Sequence, residues 1–177
     1  MIPIFDLDGT LLDSDAALTA PFVRLGIPAE SVSFGMRLDE ACARVGITVD
    51  QYLAAYDSGF AEPFAGVSEM LAALPRWAIC SNKLGDYARQ ELDALGWEPE
   101  VALFAERFEG PKRLGPVLDE LGLRGEEVLY VGDSEHDRTC AREAGVRFAL
   151  AGWNPRVTAE DGDLVLSAPA DVLSALR

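Results

Sequence analysis

Residues 4 to 15 read IFDLDGTLLDSD, which sets aspartates at positions 6, 8, 13 and 15 directly behind an apolar run that starts at Met1. A second acidic group, VLYVGDSEHD, carries Asp133 and Asp137 behind another apolar run. Asp6 and Asp8 stand two residues apart at the carboxyl end of a predicted strand, and Gly9 lets the chain turn sharply while its backbone stays close to a ligand. Asp137 follows Asp133 by four residues, about one helical turn. If the two strands are neighbours, four carboxylates converge. Two carboxylates about 4 Å apart repel by roughly 4 kcal/mol at an effective dielectric of 20, and a third multiplies the cost. A bound cation must offset it. Oxygen-only donors, with no cysteine pair and no suitably spaced histidine, select a hard ion, and a small number of protein carboxylates favours Mg²⁺ over Ca²⁺. A calcium loop fails on spacing, because DLDGTLLDSDAA has Gly at its fourth position, Leu at its seventh and Ala at its twelfth. Helix capping or turn formation would account for either acidic group alone. It does not account for both.

The elements that must position these acids are legible as alternating patterns. Apolar runs at 2–6, 76–81, 104–109, 127–132, 146–150 and 163–167 read as strands, most of them too continuous for a sheet with one wet face. Between them, helical periodicity at 66–74, 84–95, 113–122, 134–145 and 168–177 often ends in Gly, as at Gly96, Gly122 and Gly145. This alternation predicts an α/β fold, a three-layer Rossmann-like core of parallel strands with helices on both faces. One interval departs from it. Residues 14–62 contain PFVRL, RLDEACARV and DQYLAAYDSGF, three or four amphipathic helices in a row and no convincing strand. The expected organisation is a core of residues 1–13 and 63–177 with a small helical cap, 14–62, inserted above the carboxyl ends of the strands.

Composition narrows the function classes. A net charge of −15 and a pI near 4.3 argue against nucleic acid as a partner, since phosphate-backbone binding needs clustered Lys and Arg. No apolar run approaches the roughly 20 residues that cross a bilayer, so neither a membrane partner nor a targeting segment is expected, and the expected location is cytoplasmic. Cys42, Cys80 and Cys140 are odd in number and widely spaced, which reads as reduced packing residues. Of 15 basic residues only Lys83 and Lys112 are lysines, which makes those two stand out.

FDLDGTLLDS, CSNK, an isolated Lys112 and VGDSEHD, in that order, resemble the four motifs of the haloacid dehalogenase superfamily, specifically its helical-cap phosphatases of the phosphoglycolate phosphatase type. The resemblance covers nearly the whole chain. It implies hydrolysis of a small phosphorylated metabolite by a monomer or homodimer, with Mg²⁺ as cofactor. Asp6 would be the nucleophile that forms an aspartyl-phosphate, and Asp8 the general acid and base. The Asp6 carboxylate, the Asp8 main-chain carbonyl and Asp133 would hold the metal, with Asp137 grouped among the metal residues as a holder of a metal water or of Lys112. Ser81 and Asn82 would hydrogen-bond phosphoryl oxygens, although Ser81 equally suits an N-cap for residues 84–95. Lys112 would stabilise charge on the transferring group. Members of the family commonly follow this lysine with Pro, whereas Arg113 follows it here, which leaves open whether Lys112 or Arg113 points inward.

The remaining singled-out residues carry lesser expectations. Lys83 reads as peripheral or a helix-start residue, His136 as exposed and incidental, the tryptophans as packing, and Asp13, Ser14 and Asp15 as capping of the first inserted helix. SFGMRLDEA resembles a cap loop that dips toward substrate, which makes Arg37 a candidate for a substrate tail, with a solvated helix-start arginine as the other reading. The stretch 14–62 has neither Lys nor His, against the phosphonate hydrolases and hexose-phosphate mutases of the superfamily. A phospho-acceptor domain without catalysis would also gather acids and a lysine around Mg²⁺. It would need neither an acid/base two residues from its nucleophile nor a lid.

Overall fold

The computed structural model describes residues 1–56 and 61–177. In chain order the strands are β1 (Ile2–Phe5), β2 (Leu12–Asp13), β3 (Glu62–Pro63), β4 (Ala78–Cys80), β5 (Val101–Leu103), β6 (Val128–Gly132), β7 (Arg147–Ala151) and β8 (Val165–Leu166). The helices are α1 (Asp15–Arg24), α2 (Leu38–Val45), α3 (Val49–Ala55), α4 (Val67–Ala72), α5 (Gly85–Leu95), α6 (Leu114–Leu121), α7 (Glu135–Ala144) and α8 (Asp171–Ala175). Every residue of β4 and of β6 is buried, as continuous apolar strands must be when helices cover both faces of a parallel sheet.

Six strands pair in parallel in the order β5-β4-β1-β6-β7-β8. Successive side chains alternate between the two faces. Phe5, Ile79, Leu129 and Val131 pack with α4, α5 and α8, through Val67, Met70, Leu92 and Val172. Ile4, Cys80 and Tyr130 pack with α6 and α7, through Leu114, Val117, Leu121 and Cys140. The α/β three-layer core is therefore present as read from the alternation. All three cysteines are buried and free. Among the described residues no helix is long and apolar enough to cross a membrane.

Two differences from the pattern reading have simple causes. The strand expected at 104–109 lies earlier, at β5, and Ala105–Arg107 forms a 3₁₀ turn. The alternation of FAERFE comes from buried Phe104 and Ala105 next to exposed Glu106 and Arg107, not from a pleat. The antiparallel pair β2 and β3, with Leu12 opposite Pro63 and Asp13 opposite Glu62, is too short to produce a period. It joins the two ends of the inserted stretch like a clasp. Helices α1, α2 and α3 share a small cluster of their own around Phe22, Cys42 and Tyr52. The helix read into DQYLAAYDSGF ends at Ala55, and residues 57–60 of that stretch lie outside the described residues.

Topology decides where a ligand can sit. From β1 the chain moves outward to β4 and β5, then crosses back to β6 on the other side of β1. The winding direction thus reverses between β1 and β6, and in such sheets a crevice opens outside the carboxyl ends of the strands at that point.

Leu129 on β6 is fully buried against the α4 and α8 layer. Leu129→Ala is expected to lower unfolding free energy by about 2–5 kcal/mol. Urea denaturation should show a reduced midpoint with an unchanged slope.

Candidate active site

The register of β1 and β6 aligns Phe5 with Val131, so the residues after each strand emerge at one level. Asp6 continues the ladder by donating its backbone N–H to Val131 O at 2.9 Å. Ser81 does the same beyond β4, donating to Leu103 O at 3.0 Å. Three adjacent strands, β4, β1 and β6, therefore deliver Ser81, Asp6 and Asp133 to one crevice. Two glycines make the approach of backbone and carboxylate feasible. Gly9 has φ +78°, and a Cβ there would lie 2.4 Å from Asp133 Oδ2. A Cβ on Gly132 would lie 2.4 Å from Asp137 Cβ, so only glycine lets α7 start this close to its strand.

Lys112, from the loop before α6, is buried and reaches Asp6 Oδ1 at 2.9 Å and Asp137 Oδ1 at 2.6 Å. Arg113 beside it is exposed, which answers which of the two basic residues points inward. Asp137 has donors on both oxygens. Tyr130 donates its hydroxyl to Oδ1 at 2.8 Å, while Ser134 Oγ at 2.6 Å, Ser134 N at 3.0 Å and Asp133 N at 3.2 Å all donate to Oδ2. Burial pushes the Asp137 carboxyl up, but the Lys112 ammonium and these hydrogen bonds outweigh it and hold the group below its usual range.

Asp6 and Asp133 are left less compensated. Burial raises Asp6 to about 6 against the pull of Lys112. Burial, then the charges of Asp137 and Asp6, raise Asp133 to about 8, with Lys112 and the Thr10 hydroxyl at 3.1 Å opposing. Oxygens of Asp6, Asp133 and Asp137 lie within 4.8 Å of one another. By distance all three suit a cation. Among the described residues Asp6 and Asp133 each have one side-chain donor, Lys112 and Thr10 respectively, whereas Asp137, also grouped among metal residues from the sequence, has donors on both oxygens and is occupied in fixing Lys112. Uncompensated negative charge on oxygen donors in a buried crevice fits a hard divalent cation such as Mg²⁺.

Asp8 lies on the side of the crevice nearer α1 and α3. Its Oδ1 accepts from Lys83 Nζ at 2.7 Å, and Lys83 also pairs with Glu91 at 2.9 Å. Lys83 was expected at the periphery; instead its side chain is only 6% exposed and is held between two acids. Burial lowers the Lys83 ammonium, but Asp8 and Glu91 raise it above its ordinary value. Glu91 is the residue that pattern reading missed. It lies on the buried face of α5 with Ala88 and Leu92, and a charge in an apolar stripe was the available signal.

Other expected residues have different partners from those inferred. Ser81 does not cap α5, whose N-cap is Leu84; its Oγ accepts from Lys83 N at 3.3 Å and lines the cavity. Asn82 also lines the cavity, but its amide links two segments, accepting from Lys112 N at 2.7 Å and donating to Gly35 O at 2.8 Å. Arg37, a candidate for a substrate tail, is turned out of the cavity. Two carbonyls, Ala105 O at 2.9 Å and Gly110 O at 3.0 Å, and the carboxylate of Asp39 hold its guanidinium. Ser14 and Asp15 start α1 as expected, Ser14 at the N-cap position and Asp15 as the first helical residue. Ser14 makes no side-chain cap, and Asp13 and Asp15 bind Arg156, which follows β7. His136 is exposed, and Trp77 and Trp97 pack in the core. Trp153 Nε1 and Asn154 Nδ2 donate to Thr10 O and Gly9 O, both at 2.8 Å, so they brace the turn after β1.

The chain matches the model of a family described as haloacid dehalogenase-like hydrolase over residues 3–151. It is 34% identical to a phosphoglycolate phosphatase from Xanthomonas campestris pv. campestris, with 96% of this chain and 90% of the relative aligned. It is 28% identical to pyrophosphatase PpaX from Halalkalibacterium halodurans, over 96% of this chain and 94% of the relative. A haloacid dehalogenase-like family hydrolase from Streptococcus pneumoniae superposes with a TM-score of 0.75 at 22% identity, covering 99% of this chain and 98% of that one, a likeness of fold. The ordered motifs, the switch-point crevice and the extent of these matches agree, and the chain belongs to the haloacid dehalogenase-like hydrolase family.

Proposed function

We propose that this protein is a Mg²⁺-dependent phosphomonoesterase acting on a small phosphorylated metabolite through an aspartyl-phosphate, in the manner of the phosphoglycolate phosphatases it resembles. The observation that carries the reading is the pairing of Asp6 with Lys112 beside Asp133 in the switch-point crevice, with Asp8 two residues along on the open side. In this reading one Asp6 carboxylate oxygen attacks phosphorus. A P–O bond to Asp6 forms as the ester P–O bond breaks, and Asp8 gives its proton to the departing alkoxide. Asp8 then takes a proton from water, which attacks phosphorus, releases inorganic phosphate and restores the Asp6 carboxylate. Lys112 faces the charge spread over the transferring group, and Ser81 offers it a hydroxyl.

The Asp6 carboxylate, the Asp8 main-chain carbonyl and the Asp133 carboxylate would hold Mg²⁺, which when bound neutralises charge and orients the phosphate. Asp137 acts through Lys112, and the Lys83 and Glu91 pair acts through Asp8 by fixing the direction of its carboxylate. Residues 14–62 serve as the cap that closes over the ester and limits water.

With Mg²⁺ the purified protein is expected to release p-nitrophenol from p-nitrophenyl phosphate, and EDTA is expected to stop it. Asp6→Asn should lower turnover by at least roughly a thousandfold while the circular dichroism spectrum stays native. Retained turnover in that variant would sink the assignment of the nucleophile.

Removal of metal should expose the crowded acids as a pH effect on stability. In the fold Asp133 titrates near about 8 and Asp6 near about 6, both above their ordinary value of 3.8. The folded state therefore binds more protons than the unfolded one across this interval. Stability from these groups is complete below about pH 3.8 and declines as pH rises through about 6 and about 8. In EDTA the melting temperature should fall between roughly pH 5.5 and 8.5, and the increment from added Mg²⁺ should be larger at the higher pH. An increment that is equal or smaller at the higher pH would count against metal binding by these carboxylates.

A further inference from the structure

We infer that the ester hydrolysed here carries an uncharged, apolar leaving group, such as an alkyl or arylmethyl alcohol, and not a carboxylate-bearing one. This rests on the phosphomonoesterase reading and identifies the substrate class of the same site. The cavity outside the strand ends holds about 100 Å³. Its acids, amide and cation are at the strand-end floor, where Asp6, Asp8, Ser81, Asn82 and Lys83 gather. The wall that a leaving group would meet is different in kind. The ring centroids of Phe22 and Tyr52 are 4.8 Å apart and those of Tyr52 and Tyr56 5.9 Å, both pairs tilted, and Tyr56 meets Tyr87 of α5 edge-on at 5.2 Å. Phe34 and Leu53 extend this surface, and its hydroxyls are those of Ser33 and the three tyrosines. Tyr52 adds no free donor, because its hydroxyl is given to Leu18 O at 3.0 Å.

Charge points the same way. Among the described residues that line the cavity, Lys83 is the only cation, and it already faces two carboxylates, Asp8 and Glu91. Arg37 has its guanidinium on Ala105 O and Gly110 O, away from the cavity. The sequence of 57–60, DSGF, contains no cation either. A carboxylate on the leaving group would be desolvated against aromatic rings and would lie near Asp8 with no counter-charge left for it, whereas an apolar group gains by burial. At about 100 Å³ the cavity is smaller than the roughly 150 Å³ apolar cavity that accepts benzene, but it is open to solvent on one side, so it suits a short alkyl chain or a ring seated at its mouth.

The test compares two esters whose leaving groups are both primary alkoxides, so that intrinsic reactivity is matched. With Mg²⁺, phosphate release from benzyl phosphate should show kcat/KM at least about tenfold above that from 2-phosphoglycolate. Phe34→Arg, on a residue 38% exposed and so tolerant of change, should reduce that ratio at least about tenfold by adding a cation to the wall. Benzylphosphonate should also protect the Mg²⁺-loaded protein against heat more than phosphonoacetate at equal concentration. Equal turnover, or preference for 2-phosphoglycolate, overturns this inference and leaves the phosphatase reading intact. Absence of turnover with both esters and with p-nitrophenyl phosphate overturns the phosphatase reading, and this inference with it.

Discussion

Lys112 lies 2.9 Å from Asp6 and 2.6 Å from Asp137 with its side chain 1% exposed, and the crevice between β1 and β6 depends on that contact. Two strand ends bring Asp6, Asp133 and Asp137 within 4.8 Å of one another, and in a site removed from water their repulsion would otherwise force the ends apart or protonate them. A single ammonium cannot neutralise three acids. It settles Asp137, which has four further donors, and leaves Asp6 and Asp133 raised. That imbalance leaves two acids with charge that one ammonium does not offset, and removing one partner from a buried pair of this kind typically costs about 3–5 kcal/mol.

The geometry around this contact is set by backbone and not by side-chain reach. Parallel pairing with Phe5 opposite Val131 puts the carboxylates level, and glycines at 9 and 132 remove the Cβ atoms that would collide with Asp133 and Asp137. Trp153 and Asn154, just past the end of β7, hold the carbonyls of Thr10 and Gly9 and so brace the turn carrying Asp8. A second buried ammonium, Lys83, then fixes Asp8 with the help of Glu91. The two lysines of an otherwise arginine-based chain thus each take two carboxylates, a role for which a compact ammonium on a flexible stem suits better than a planar fork.

The inserted helices contribute a surface of another kind. Phe22, Cys42 and Tyr52 give them a small core separate from the two layers that flank the sheet, and the β2 and β3 pair joins their ends. Asn82 donates to Gly35 O and Arg37 to Ala105 O and Gly110 O, so polar contacts to backbone carbonyls, and the edge-on contact of Tyr56 with Tyr87, tie this layer over the strand ends. The acids of the family's motifs lie at the floor. The wall is made by the helices of 14–55 and by α5.

The alternation of continuous apolar runs with helical periods was enough to specify a parallel sheet covered on both faces, because those periods are direct consequences of which faces are dry. The order of FDLDGT, CSNK, Lys112 and VGDSEHD was likewise enough to propose which acids meet. Short elements escaped, since two-residue strands have no period and FAERFE alternates for reasons other than a pleat. The partners of single side chains escaped too. Lys83 reads as a helix-start residue until α5 brings Glu91 under it, and Arg37 reads as a ligand for substrate until the loop at 105–110 offers two carbonyls. Sequence by itself therefore determined the fold class and which acids come together at the strand ends, which follow from local pattern and motif order. Which charge neutralises which was decided only by tertiary structure, because that depends on distances between segments far apart in the chain, and electrostatic pairing is set by distance and burial.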